Sequence, residues 1–146
     1  MHSLTLNEFA DRVGALMPVI SREFLKHQTP EFYRLKITMP QCIILEILNR
    51  AGELNMSGLA RGMSVSTPAM TGIVTRLVRD GYVERVSDSD DRRVIKIKLT
   101  AKGRKTVDTL HAHRRRMIIK LFGVISQSER EEYLKILTRI RDSIKG

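Results

Sequence analysis

The chain has 146 residues and a mass of 16.7 kDa, enough for one domain with a hydrophobic core of its own. Hydrophobic residues make up 42% and charged residues 29%, which excludes a disordered or fibrous chain. Twenty-six Lys and Arg against sixteen Asp and Glu leave a formal charge of +10, so a polyanion is the expected partner. No apolar run nears the roughly 20 residues of a membrane helix. The opening MHSLTLNEFADR lacks the basic-then-apolar order of a signal peptide, so the chain reads as soluble and cytoplasmic. Aromatics at 5%, with no Trp, argue against a base-stacking single-strand binder and in favour of duplex DNA.

Apolar residues at Leu6, Phe9, Ala10, Val13, Leu16, Met17, Ile20 and Phe24 keep the helical period, so a long amphipathic helix is predicted over residues 4–27, kinked or broken at Pro18. Thr38 with Gln41 makes a capping box before a helix from about Met39 to Arg50 that buries Ile43, Ile44, Ile47 and Leu48. Asn55 caps a short helix with Leu59 and Ala60, and Ser66 caps another whose inner stripe is Met70, Ile73, Val74 and Leu77. Two short helices joined by a tight turn form a helix-turn-helix. Gly81 stops the second, and Tyr82–Val86 and Val94–Leu99 flank a polar loop as two strands of a β-wing. Helical periodicity returns from Ala101 through Phe122, and a capping box at Ser126 and Glu129 opens a last helix with Tyr133, Leu134, Leu137, Ile140 and Ile144 on one face.

The fold class expected is therefore mainly α with a small β-wing. A winged helix-turn-helix lobe over 38–100 is flanked by helical regions at 1–36 and 101–146. The long terminal helices either form a bundle shared between two chains or wrap the central lobe of their own chain.

In a helix-turn-helix the second helix enters the major groove. Its outward set here is Ser66, Thr67, Pro68, Thr71, Gly72, Thr75, Arg76 and Arg79. Thr67 and Thr71 can hydrogen-bond bases or touch a thymine methyl, and Gly72 lets the backbone approach the duplex. Arg76 can reach a guanine edge or a phosphate, whereas Arg79 reads as a solvated helix end. On the wing, Arg92 is the candidate for minor-groove insertion and Arg93 for the phosphate wall. Asp91 is either an ordinary turn residue or the group that orients one of these arginines. Lys96 and Lys98 are phosphate contacts or solvated face.

From Leu59 to Gly103 the sequence resembles the multiple-antibiotic-resistance regulator (MarR) family of winged-helix transcription factors. The matching pieces are Leu59-Ala60, Val65-Ser66, Leu77, Gly81-Tyr82-Val83-Glu84-Arg85, Asp91-Arg92-Arg93 and Leu99-Thr100-Ala101-Lys102-Gly103, with Met39-Pro40-Gln41 upstream. The resemblance implies a homodimer held by the first and last two helices, each chain presenting a DNA-binding lobe to a pseudo-palindromic operator, most often as a repressor. It also implies release by a small aromatic or phenolic effector, for which Met17, Phe24, Cys42 and Met117 face the expected crevice.

No enzyme, cofactor or metal site is expected. The single cysteine builds neither an internal disulfide nor a zinc site. His111 and His113 lack the i, i+4 spacing of a helical ligand pair, and no phosphate-cradling loop or hydrolase elbow occurs. Two alternatives share the fold: a sequence-indifferent architectural DNA binder, and a redox sensor in which a helix N-terminus lowers the thiol pKa of Cys42, although a lone cysteine on an apolar helix is more often core filler.

Overall fold

The computed structural model describes residues 3–146. In chain order its elements are α1 (Leu6–Lys26), α2 (Pro30–Arg34), α3 (Met39–Ala51), β1 (Glu53–Asn55), α4 (Met56–Met63), α5 (Thr67–Arg79), β2 (Val83–Ser87), β3 (Ile95–Leu99), α6 (Ala101–Phe122) and α7 (Gln127–Lys145). They fall into two compact units, Thr29–Ala112 and the two terminal segments, up to Gln28 and from His113 onward.

The central unit begins where side chains satisfy the orphan amides of its helices. Thr38 and Gln41 close the predicted capping box of α3, Asn55 accepts from Gly58 N at 2.8 Å, and Ser66 accepts from Ala69 N at 3.3 Å. The turn between α4 and α5 is fixed by Ser64, whose φ of 53° is left-handed, while Val65 N donates to Ala60 O at 3.1 Å. Ile44, Leu45, Leu48, Leu59, Met70, Val74, Leu77, Val83 and Ile97 are buried together. This joins α3, α4, α5 and the sheet into one core.

Three local expectations are corrected. The buried face of α3 is Gln41, Ile44, Leu45 and Leu48, while Ile43 is 42% exposed; a run of consecutive apolar residues left the phase of the helix open. The wing sheet has three strands in the order β1-β3-β2, because Glu53–Asn55 pair antiparallel with Lys96–Lys98; three residues are too few for an alternation to show. The stretch between the first helix and Pro40, to which the sequence pattern assigns no separate element, contains the single-turn α2, with Thr29 as its cap and Pro30 in the first turn.

The segment Leu99-Thr100-Ala101-Lys102-Gly103 joins the sheet to α6 through backbone carbonyls. Thr100 Oγ1 donates to Gly81 O at 2.6 Å and accepts from Gly103 N at 3.1 Å, and Lys102 Nζ donates to Asp80 O at 2.6 Å. A Cβ at Gly103 would lie 2.0 Å from Tyr82 O, so only glycine fits this crossing. The motif holds the end of α5 against the start of α6.

In the terminal unit, α1 runs unbroken through Pro18. Gly14, whose carbonyl loses its intrahelical partner to Pro18, lies on an exposed stretch. Neither α1 nor α7 contains a buried residue. Leu6, Leu16, Leu25, Leu134, Ile140 and Ile144 are exposed large hydrophobics. No described helix is long and apolar enough to cross a membrane.

Candidate nucleic-acid interface

The amphipathic pattern of α5 turns Met70, Val74 and Leu77 into the core, which leaves Thr67, Pro68, Thr71, Gly72, Thr75, Arg76 and Arg79 exposed. Ser66, exposed at the cap, directs its oxygen to Ala69 N and keeps its own proton. Thr71 Oγ1 donates to Thr67 O at 3.0 Å and Thr75 Oγ1 to Thr71 O at 2.8 Å. A Cβ built on Gly72 meets nothing within 4 Å, so the protein's own packing does not require glycine there. Arg79 is held by Asp80, Nε to Oδ1 at 3.0 Å and Nη2 to Oδ2 at 3.3 Å, which suits a helix end more than a free contact. Among the described residues, the Arg76 guanidinium has no ion-pair or hydrogen-bond partner.

One residue near this face went unread in the sequence. Arg85 on β2 is exposed and donates from Nη2 to Thr75 Oγ1 at 3.3 Å. Its signal was available: Val83, Arg85 and Ser87 share one phase of the strand, Arg85 pairs with buried Ile97, and a charge therefore stands where the alternation calls for an apolar side chain.

The wing loop is ordered by its carboxylates. Asp88 Oδ1 accepts from the backbone of Asp90 at 2.8 Å and Asp91 at 3.1 Å, and Oδ2 lies 2.6 Å from Lys96 Nζ. The Lys96 ammonium and the two backbone donors draw the Asp88 carboxyl down from its ordinary 3.8 to about 2. Lys96 also meets Glu53 at 3.4 Å, and its own pKa is raised, first by the bond to Asp88. Asp91 grips Arg93 at 3.1 and 3.3 Å, and that bond holds its carboxyl below the usual carboxylate range. Arg92 is exposed and, among the described residues, has no such partner. Thus Asp91 both holds the turn, accepting from Arg93 N at 3.1 Å, and holds the Arg93 side chain, while Lys96 is engaged within the wing. Lys98 pairs with Glu84 at 3.4 Å.

The four residues expected at an effector crevice are divided between the units. Met17, Phe24 and Met117 belong to the terminal unit, exposed, half-buried and buried respectively, and Cys42 belongs to the central one. A cavity of about 330 Å³ within the terminal unit is lined instead by Ile118, Phe122, Arg130, Tyr133, Leu134 and Leu137. Of the two readings of Cys42, core filler and lowered-pKa thiol, the second finds no support, since burial pushes the thiol up despite its place near the start of α3. His111 Nε2 pairs with Glu46 Oε1 at 2.7 Å. Among the described residues no group of three metal-ligating side chains occurs.

Comparison with known proteins places these features in a family context. The MarR family model matches residues 37–95. Over 118 residues, covering 79% of this chain and 74% of the relative, the sequence is 30% identical to the HTH-type transcriptional regulator YfiV of Bacillus subtilis (strain 168). Rv1404 from Mycobacterium tuberculosis superposes with a TM-score of 0.80 at 25% identity, covering 97% of this chain and 96% of that one. FabT of Streptococcus pneumoniae, solved in complex with DNA, superposes with a TM-score of 0.78 at 22% identity, covering 97% and 98%.

Proposed function

The chain belongs to the MarR family of transcriptional regulators, and from that premise we propose that it is a cytoplasmic repressor that binds a pseudo-palindromic operator in double-stranded DNA as a homodimer, with no enzymatic step. The observation that carries this reading is the juxtaposition, within one unit, of an exposed polar α5 face and a wing bearing Arg92 and an oriented Arg93. One fits the major groove and the other the adjacent minor groove. Ser66, Thr67 and Pro68 meet the backbone at the entry of the helix, Thr71, Gly72 and Thr75 face the bases, and Arg76 reaches a guanine edge or a phosphate. The charge of +10 favours the approach to a polyanion.

The dimer rests on the terminal unit. Helices α1 and α7 present long apolar faces with nothing buried, more than a chain of this size leaves to water, and a second copy supplies the matching surface. Release by a small aromatic ligand belongs to the same proposal, with Met17, Phe24, Cys42 and Met117 as the residues to probe. The raised Cys42 thiol disfavours the redox alternative.

The test is binding to the DNA flanking the protein's own gene as salt is varied. A dimer that neutralises on the order of 6–10 phosphates gives a log–log slope of roughly −5 to −9, with an advantage of at least about a thousandfold over random duplex at physiological salt. A steep slope without that advantage identifies the architectural alternative. A slope near zero removes DNA as the partner, and sedimentation of a persistent 16.7 kDa particle removes the dimer.

A further inference from the structure

Resting on the reading of α5 as the helix in the major groove, we infer that the protein selects its site through the C5 methyl of thymine, contacted by the methyl groups of Thr71 and Thr75. The hydroxyl protons of both residues are already committed. Thr71 gives its proton to Thr67 O at 3.0 Å, and Thr75 gives its own to Thr71 O at 2.8 Å. A hydroxyl has one proton and two lone pairs, and the Thr75 oxygen also accepts from Arg85 Nη2 at 3.3 Å. Neither side chain has a donor left for a base.

Besides oxygen lone pairs that can only accept, the two exposed threonines offer a methyl each, four residues apart and therefore on one face of the helix. Gly72 lies beside them with open space where a Cβ would stand, so the backbone can come close enough for short side chains to touch a base. The donors that remain lie elsewhere. Ser66 and Thr67 stand at the amino end of α5, where the helix favours anions, and Arg76 is the long donor of α5 that no carboxylate holds, unlike Arg79. Thymine alone among the four bases carries a methyl in the major groove. A methyl stripe therefore distinguishes thymine from cytosine, adenine and guanine without any hydrogen bond from the helix.

The experiment selects a duplex from a random-sequence library with the full-length protein at physiological salt. That duplex is then resynthesised with deoxyuridine in place of each thymine in turn. At one or two positions per half-site Kd should rise about fourfold, the value for one methyl withdrawn from contact. Thr71→Ser, which keeps the hydroxyl and loses the methyl, should be indifferent to deoxyuridine at the position it faces. Thr71→Val, which keeps a methyl and loses the hydroxyl, should bind like the parent and remain sensitive. Thr71 is exposed, and circular dichroism verifies that each variant is folded. Tolerance of deoxyuridine at every position, with specific binding intact, overturns the inference. So does a loss of binding in Thr71→Val that Thr71→Ser does not share. Failure to prefer any selected duplex over random DNA refutes the reading of α5 itself, and is distinguished by the absence of specific binding throughout.

Discussion

Gly72→Ala separates the stability of the protein from its hold on DNA, because the two should respond with opposite sign. Gly72 lies in the interior of α5, and a Cβ there meets nothing within 4 Å, so alanine brings no clash. Glycine in a helix interior costs about 1 kcal/mol relative to alanine, through the freedom it loses on folding. The variant should therefore melt about 3 °C higher, the shift expected for that energy in a chain of this size. If the backbone at Gly72 rests against the bases, the added methyl intrudes on a close contact and costs about 1–3 kcal/mol per half-site. That corresponds to roughly 5- to 150-fold in Kd for each half-site, and to about the square of that factor for an operator held by both protomers. Differential scanning calorimetry and fluorescence anisotropy on one preparation measure both quantities. A variant that melts higher and binds as tightly as the parent, or tighter, refutes the close approach and moves the reading face away from Gly72.

Arg92→Ala should weaken operator binding by about 1–3 kcal/mol, with the greater loss on A·T-rich flanks if the side chain enters the minor groove; unchanged affinity takes it out of the interface. Gly103→Ala should destabilise the fold by roughly 3 kcal/mol or more, because its Cβ would lie 2.0 Å from Tyr82 O; an unchanged urea midpoint contradicts the clamp. The Asp88 carboxyl, followed by carboxyl NMR, should titrate at about 2 rather than 3.8. A depressed folded pKa means that its stabilisation is complete above 3.8 and lost as pH falls through about 2, and a midpoint near 3.8 would remove the Lys96 contact. Cys42, with its thiol pushed up by burial, should react with iodoacetamide more slowly than glutathione at neutral pH; a faster reaction would restore the redox alternative.

The parts of the fold that sequence reasoning reached are those written in short-range chemistry. Thr38 with Gln41, Asn55, Ser66, and Ser126 with Glu129 each satisfy helix amides three residues away, so a cap can be read without knowing what lies across the core. Ile43 shows the limit of that reading. It stands in an unbroken apolar pair with Ile44, and only the position of α4 and the sheet decides which of the two is buried. β1 escaped for a related reason. Its three residues acquire strand identity from pairing with Lys96–Lys98, forty residues onward, and carry no period of their own.

The candidate interface divides along the same line, with a consequence for charge. Counted in sequence, the wing from Asp88 to Lys96 holds three carboxylates and three cations, and nothing local tells which cation is free. The pairing is a property of the folded hairpin. The turn brings Asp88 to Lys96 and Asp91 to Arg93, because their backbone amides and side chains converge on the same two carboxylates. Arg92 lies between two tethered neighbours and is itself without an ion-pair partner among the described residues. An ammonium held between Asp88 and Glu53 has one N–H left for a phosphate unless it gives up a carboxylate, whereas the guanidinium of Arg92 gives up only water. In the proposed complex Arg92 is therefore the cation of the three with the fewest contacts to surrender, and Lys96 is the one that ties the loop to the sheet.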